Sequence, residues 1–414
     1  MISNKIIALC LLSTVACGSP TSDQANCSAT GPAIKIASKI RKLPPLEKVP
    51  CEVHGKEQIA NFLVEKVVKN LDRNILKGQE IVGKLLGSVP LDYQYQEGLV
   101  EIYTSNLGGY YEPGSNSFVM ADWLSEEAQG PTIIHELVHA LQDQHFAIEK
   151  LLDGEIYSSD QISAHSALAE GDASAVTYDY QASRVNKPSV ADYKVLPEGV
   201  FPTESIKDSD NSQVKTPLAF KKMLMFPYSE GLKFVHRLIR QDGYKGINKA
   251  YKRLPESTEQ ILHPELYISG KKGFKELEPE LPDQLKDRVS TEPFYKDRLG
   301  EFYISVLLSE MIPDWEAKEA ASGWGGDKVA YYPFKEQSSK STSFKNNGVL
   351  TWTLAWDTNG DAKEFFHALG KAYSNRFKVR YSQRPKNYVF KDRRIGQTVI
   401  LIEDKKVGLV MIGS

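Results

Sequence analysis

Residues 131–146 read Pro-Thr-Ile-Ile-His135-Glu136-Leu-Val-His139-Ala-Leu-Gln142-Asp-Gln-His145-Phe146. Two histidines four apart lie on one face of an α-helix, which turns once in 3.6 residues. Their imidazole nitrogens can then converge on one tetrahedral zinc ion. Glu136, one step round the helix from His135, cannot easily share the ion but can reach a water beside it. Two ligands, a general base and an open position make up a hydrolytic zinc site. The chain has 8 His, and at a typical Glu frequency this pattern arises by chance about 0.01 times in such a chain. Ile134, Leu137, Val138, Leu141 and Ile148 give the segment an apolar back at helical spacing. Gly130-Pro131 reads as the helix start and Asp153-Gly154 as its stop. The competing reading is a buried helix with two hydrogen-bonded histidines.

A zinc site needs a third protein ligand. One candidate is Glu170, in Ser166-Ala-Leu-Ala-Glu170-Gly-Asp172-Ala-Ser-Ala-Val176, a second helix lined by small residues. Small side chains let helices approach closely, so a carboxylate on one can reach a metal held by the other. The other is His145, whose spacing matches zinc proteases with a histidine third ligand. Those enzymes break the helix with a glycine three residues after the second histidine; here that position is Gln142, a good helix former. On a continuous helix His145 faces away from His139, so geometry favours Glu170.

His135-Glu136-x-x-His139 with downstream Glu170 resembles the gluzincin branch of the zinc metallopeptidases, which includes the thermolysin-like enzymes. The wider wording resembles a set of secreted bacterial proteins classed as metallopeptidases. They share Phe226-Pro-Tyr228-x-x-Gly231, Ser257-Thr-Glu-Gln-Ile-Leu-His263-Pro264-Glu265 and Gly323-Trp-Gly-Gly-Asp327. The resemblance covers roughly residues 100 to 330. It implies Zn²⁺ as cofactor, His135, His139 and Glu170 as its ligands, and Glu136 as base. Two features depart from the thermolysin-like pattern. The gap from His139 to Glu170 is longer. Ser174 also stands where those enzymes have an Asp that orients a ligand histidine; the nearby acid, Asp172, is about 200° round the helix from Glu170. Peptide hydrolysis also needs a donor for the developing oxyanion. Tyr228 and His263 are the candidates, with Tyr110 or Tyr111 on the upstream strand as a third choice.

With 41% apolar and 25% charged residues the chain can bury a sizeable core. Its net charge of −2 gives no argument for nucleic acid or an anionic membrane as partner. Lys5 and an apolar run from Ile6 to Ala16 read as an export signal over residues 1–16. Thr14-Val-Ala-Cys17 resembles a bacterial lipobox, making Cys17 a lipidated first residue of an envelope-attached or extracellular protein. Cys27 and Cys51 remain to form one disulfide in an oxidising compartment.

Residues 17–50 read as tether and N-terminal segment. Residues 59–86 read as an amphipathic helix interrupted near Gly78. Residues 98–121 read as extended, with a turn at Pro113-Gly114-Ser115-Asn116, and an edge strand there can bind extended peptide. Residues 186–217 read as a long loop. From 349 onward strand, helix and hairpin patterns follow one another.

The expected fold is α+β: a mainly helical zincin-like catalytic domain over residues 51–320 and a small α+β unit over residues 321–414. The expected activity is zinc-dependent hydrolysis of a protein or peptide substrate. The alternatives are a non-catalytic envelope protein on the same scaffold, or a hydrolase of a non-peptide amide in the cell wall.

Overall fold

A computed structural model describes residues 9–10, 27–65, 73–200, 215–335, 344–382 and 386–413. The protein is α+β. Among the described residues the helices are α1 (Thr30–Arg41), α2 (Lys56–Leu63), α3 (Arg73–Leu86), α4 (Tyr95–Asn106), α5 (Glu126–Phe146), α6 (Ser159–Arg184), α7 (Leu218–Asp242), α8 (Tyr244–Lys252), α9 (Thr258–Leu262), α10 (Pro264–Ile268), α11 (Gly300–Ser309), α12 (Asp314–Ala321) and α13 (Asn359–Phe377). The strands are β1 (Leu9–Cys10), β2 (Cys51–His54), β3 (Gly109–Glu112), β4 (Ser117–Ala121), β5 (Tyr295–Asp297), β6 (Trp324–Pro333), β7 (Gly348–Trp356), β8 (Asn387–Asp392), β9 (Gly396–Glu403) and β10 (Lys406–Ile412).

Two sheets divide the strands. The first has order β1-β3-β4-β2, with β2 parallel to β4 and the other pairs antiparallel. The turn between β3 and β4 falls at Pro113–Ser115, with Asn116 left-handed at φ 50°, as its residue types predict. This sheet rests on α5: a Cβ on Gly109 would stand 3.2 Å from Thr132 Cγ2. The second sheet, order β5-β6-β7-β10-β9-β8, is antiparallel throughout. One face buries Trp324, Trp352, Leu354 and Ile400 against α11, α12, α13 and, from far upstream, Val82 and Leu85 of α3. A boundary at 321 would separate β5 from its partner β6.

The Gly323-Trp-Gly-Gly-Asp327 phrase has a structural place. Asp327 is buried and accepts hydrogen bonds from the Leu299 and Gly300 amides and from the indole N–H groups of Trp324 and Trp352. It ties the start of α11 to β6 and β7. Burial raises its pKa to about 6 despite these donors.

Several local expectations change. Gly78 does not interrupt a helix; it lies inside α3, where a Cβ would overlap the Tyr295 ring at 2.2 Å, so the glycine admits that ring. Residues 95–106 are helical rather than extended, because Tyr95, Leu99, Ile102, Tyr103 and Asn106 recur at helical spacing and are all buried. The zinc-motif helix starts earlier than expected, after Ser125, and holds Pro131 inside it. It ends at Phe146, where Ala147 turns left-handed at φ 52°.

The small residues of α6 meet α7. A Cβ on Gly171 would stand 2.2 Å from the Gly231 carbonyl oxygen, and one on Gly231 2.2 Å from the Ala167 carbonyl oxygen. The two backbones are in contact, and neither can yield as a flexible side chain would. Gly171→Ala should therefore lower stability by about 1–3 kcal/mol or more through forced separation of the helices. Denaturant unfolding measures this; an unchanged midpoint would contradict the close crossing.

Candidate metal centre

His135, His139 and Glu170 converge, each offering a ligand atom within 4.8 Å of the others. His135 Nε2 lies 3.0 Å from Glu170 Oε2 and 3.2 Å from His139 Nε2; His139 Nε2 lies 3.3 Å from Glu170 Oε2. An ion with N and O ligands at about 2.05 Å in tetrahedral array sets its donors roughly 3.3 Å apart. The three residues therefore fit a small divalent cation. Both imidazoles are fully buried and Glu170 is 4% exposed.

The pairing follows from the two helices. His135 and His139 share a face of α5, and α6 brings Glu170 onto it. Behind His139, Nδ1 stands 2.8 Å from Gln142 Oε1. Gln142 Nε2 donates to the Ala169 carbonyl and to Asp172 Oδ2, each at 3.0 Å. Behind His135, Nδ1 faces Thr177 Oγ1 at 3.5 Å, while that hydroxyl donates to Ala173 O. Oxygen acceptors at the far nitrogens orient the rings with Nε2 inward.

Without an ion the three groups titrate together. Burial pushes His135 below its usual pKa, although Glu170 works the other way. Burial also opposes charge on His139, but the Glu170 carboxylate outweighs it and raises that ring to about 9. Burial opposes ionisation of Glu170, and the two imidazoles, His139 first, more than offset it, leaving its pKa lowered.

The other expected residues fall in different places. Glu136 follows His135 on α5 and is fully buried. Tyr228, on α7 one turn before Gly231, sets its ring centroid 6.0 Å from that of His135. His263 joins α9 to α10, and its Nε2 lies 2.9 Å from Glu301 Oε1, a carboxylate outside the triad. Tyr110 stacks on Phe62, and the Tyr111 hydroxyl donates to Asp143. His145 Nε2 reaches the Pro44 carbonyl at 2.8 Å, on the side of α5 away from the triad. Cys27 and Cys51 form a disulfide with Cα atoms 5.6 Å apart. Cys17 lies outside the described residues.

Sequence reasoning missed Gln142 and Arg41, and discounted Asp172. Asp172 does turn away from Glu170, yet it connects to a ligand histidine through Gln142. Burial and then the charge of Glu170 raise the pKa of Tyr103.

Residues 288–412 match DUF8575, a domain of unknown function. The matched stretch includes the Asp327 cluster and excludes the triad. No curated protein matches the chain, and no solved structure does.

At pH 7 a His139 raised to about 9 holds a proton that an incoming cation must displace, whereas His135 is already neutral. Metal affinity should fall about tenfold per pH unit below about 9 and one proton should leave per ion. Calorimetric titration in buffers of different ionisation enthalpy reads both. Glu170→Ala should weaken binding far more than His145→Ala. A pH-independent affinity, or the reverse order of the two variants, would contradict this arrangement.

Proposed function

We propose that this chain is a zinc-dependent peptidase of the gluzincin type, exported and held at the cell envelope by a lipid on Cys17. The observation that carries the reading is the buried His135–His139–Glu170 triad with Glu136 beside His135 on the same helix. Two imidazoles and a carboxylate are a zinc donor set of the kind used in hydrolysis, with a position left for water. A glutamate next to a ligand histidine has no purpose in a purely structural site. Among the described residues no helix is long and apolar enough to cross a membrane; the lipobox-like Thr14-Val-Ala-Cys17 is what supports attachment.

Zn²⁺ held there would polarise the scissile carbonyl and lower the pKa of a coordinated water. Glu136 takes the proton of the attacking water and passes one to the leaving amine. Glu136 is fully buried, which keeps bulk water from the carboxylate and strengthens its field. Tyr228, beside His135, is the favoured donor to the developing oxyanion. The Glu301 contact of His263 places that ring with a different acid, which argues against its role as donor.

The first sheet supports a peptide as substrate. Leu9–Cys10 pairs antiparallel with β3 at Tyr110 and Gly109. Those two residues fall in the segment read as export signal, and its removal would leave the β3 edge to an extended substrate beside α5.

Glu136→Gln should retain zinc and lose activity by about 10²- to 10⁴-fold, since it removes the base and no ligand. Tyr228→Phe should lower kcat about 10²- to 10³-fold at nearly constant KM. His263→Ala should leave kcat near its starting value. Turnover of a quenched-fluorescent peptide library by the zinc-loaded proteins measures all three. A Glu136→Gln protein that cleaves at the full rate would overturn the mechanism.

A further inference from the structure

Gln142 stands where a histidine-ligand zinc protease has a helix-breaking glycine, yet here α5 continues and the side chain is fully buried. A buried glutamine needs partners at both ends of its amide. The Ala169 carbonyl, 3.0 Å from Gln142 Nε2, can only accept a hydrogen bond. That fixes the –NH2 end towards α6 and the carbonyl end, Oε1, towards His139 Nδ1 at 2.8 Å. An acceptor there requires the proton on Nδ1, which leaves the Nε2 lone pair for the metal.

A second layer holds the amide. Asp172 also accepts from Gln142 Nε2, and it faces Arg41 at 2.6 Å with both side chains fully buried. Arg41 ends α1. It donates further to Asn248 Oδ1 at 2.8 Å and lies over the Tyr244 ring at 5.2 Å. The Tyr251 hydroxyl donates to Asp172. The pair is thus clamped by α1 on one side and α8 on the other.

We infer that Gln142 is a positioning residue for the metal site: anchored by the Arg41–Asp172 pair, it holds His139 in the one tautomer that presents Nε2 to the ion. The inference rests on the metal-binding reading of the triad. It makes the N-terminal helix, far from the motif in sequence, part of the support of a ligand. It also explains why Asp172 matters although it cannot touch Glu170's partner histidines directly.

The test compares the full-length protein with Gln142→Met, which keeps side-chain length and removes both amide contacts. Zinc affinity, read by competition with a chromophoric chelator, should fall 10- to 100-fold. Histidine ¹⁵N NMR of the zinc-loaded wild type should show His139 carrying a slowly exchanging Nδ1 proton, which should exchange faster in Gln142→Met. Equal zinc affinity of the two proteins, or His139 bound to zinc through Nδ1, would overturn the inference. If Gln142→Met does not fold, the wild-type spectrum alone decides. If the wild type takes up no zinc, the proposed function fails, and the same proton is sought in metal-free protein; its absence there overturns the tautomer lock independently.

Discussion

Glu136, Glu170 and Asp172 are three carboxylates withdrawn from water on two neighbouring helices. Each costs several kcal/mol to bury unless an opposite charge or full hydrogen bonding offsets it. Asp172 is matched by Arg41. Glu170 meets two imidazoles, one of which burial drives towards the neutral form. A divalent cation held by Glu170 and the two imidazoles would offset negative charge here, and the spacing of those three groups fits one. The rest of the architecture follows from keeping them there. On its other side α6 crosses α7, where Ala167, Gly171 and Gly231 leave room for backbone against backbone. That same crossing sets Tyr228 beside His135.

The triad was legible because its signal is local: His135 and His139 are one turn apart, and Glu170 stood out as an acid among alanines. The reading of His145 was legible for the same reason, since a helix through Gln142 turns it outward. What surrounds the triad was not. Arg41 and Asp172 are 131 residues apart in sequence, and no periodicity links them. Asp172 was discounted by an angle on its own helix, which is correct for Glu170 but ignores a glutamine one helix away. His263 came from a phrase shared with a resembling group, and the structure sets its ring against Glu301.

The α+β character was readable from patterning, whereas the distribution of the core was not. α3 reads as one more amphipathic helix of the N-terminal half, yet Val82 and Leu85 pack with the C-terminal sheet. The Gly323–Asp327 phrase carried no assigned role in the sequence. Its aspartate gathers two indoles and the Leu299 and Gly300 amides at the start of α11, a framework role inside the stretch that matches a domain of unknown function. Residues 98–106 were read as extended together with the strands that follow them, while the spacing of their buried side chains is that of a helix.

The central claim is that two imidazoles of α5 and one carboxylate of α6 hold one zinc ion. X-ray absorption at the zinc edge of the reconstituted, full-length protein tests it most directly. The account predicts a four-coordinate shell of N and O donors at about 2.0–2.1 Å, with outer scattering from two imidazoles. A shell containing sulfur, or one with a single imidazole or none, would contradict it.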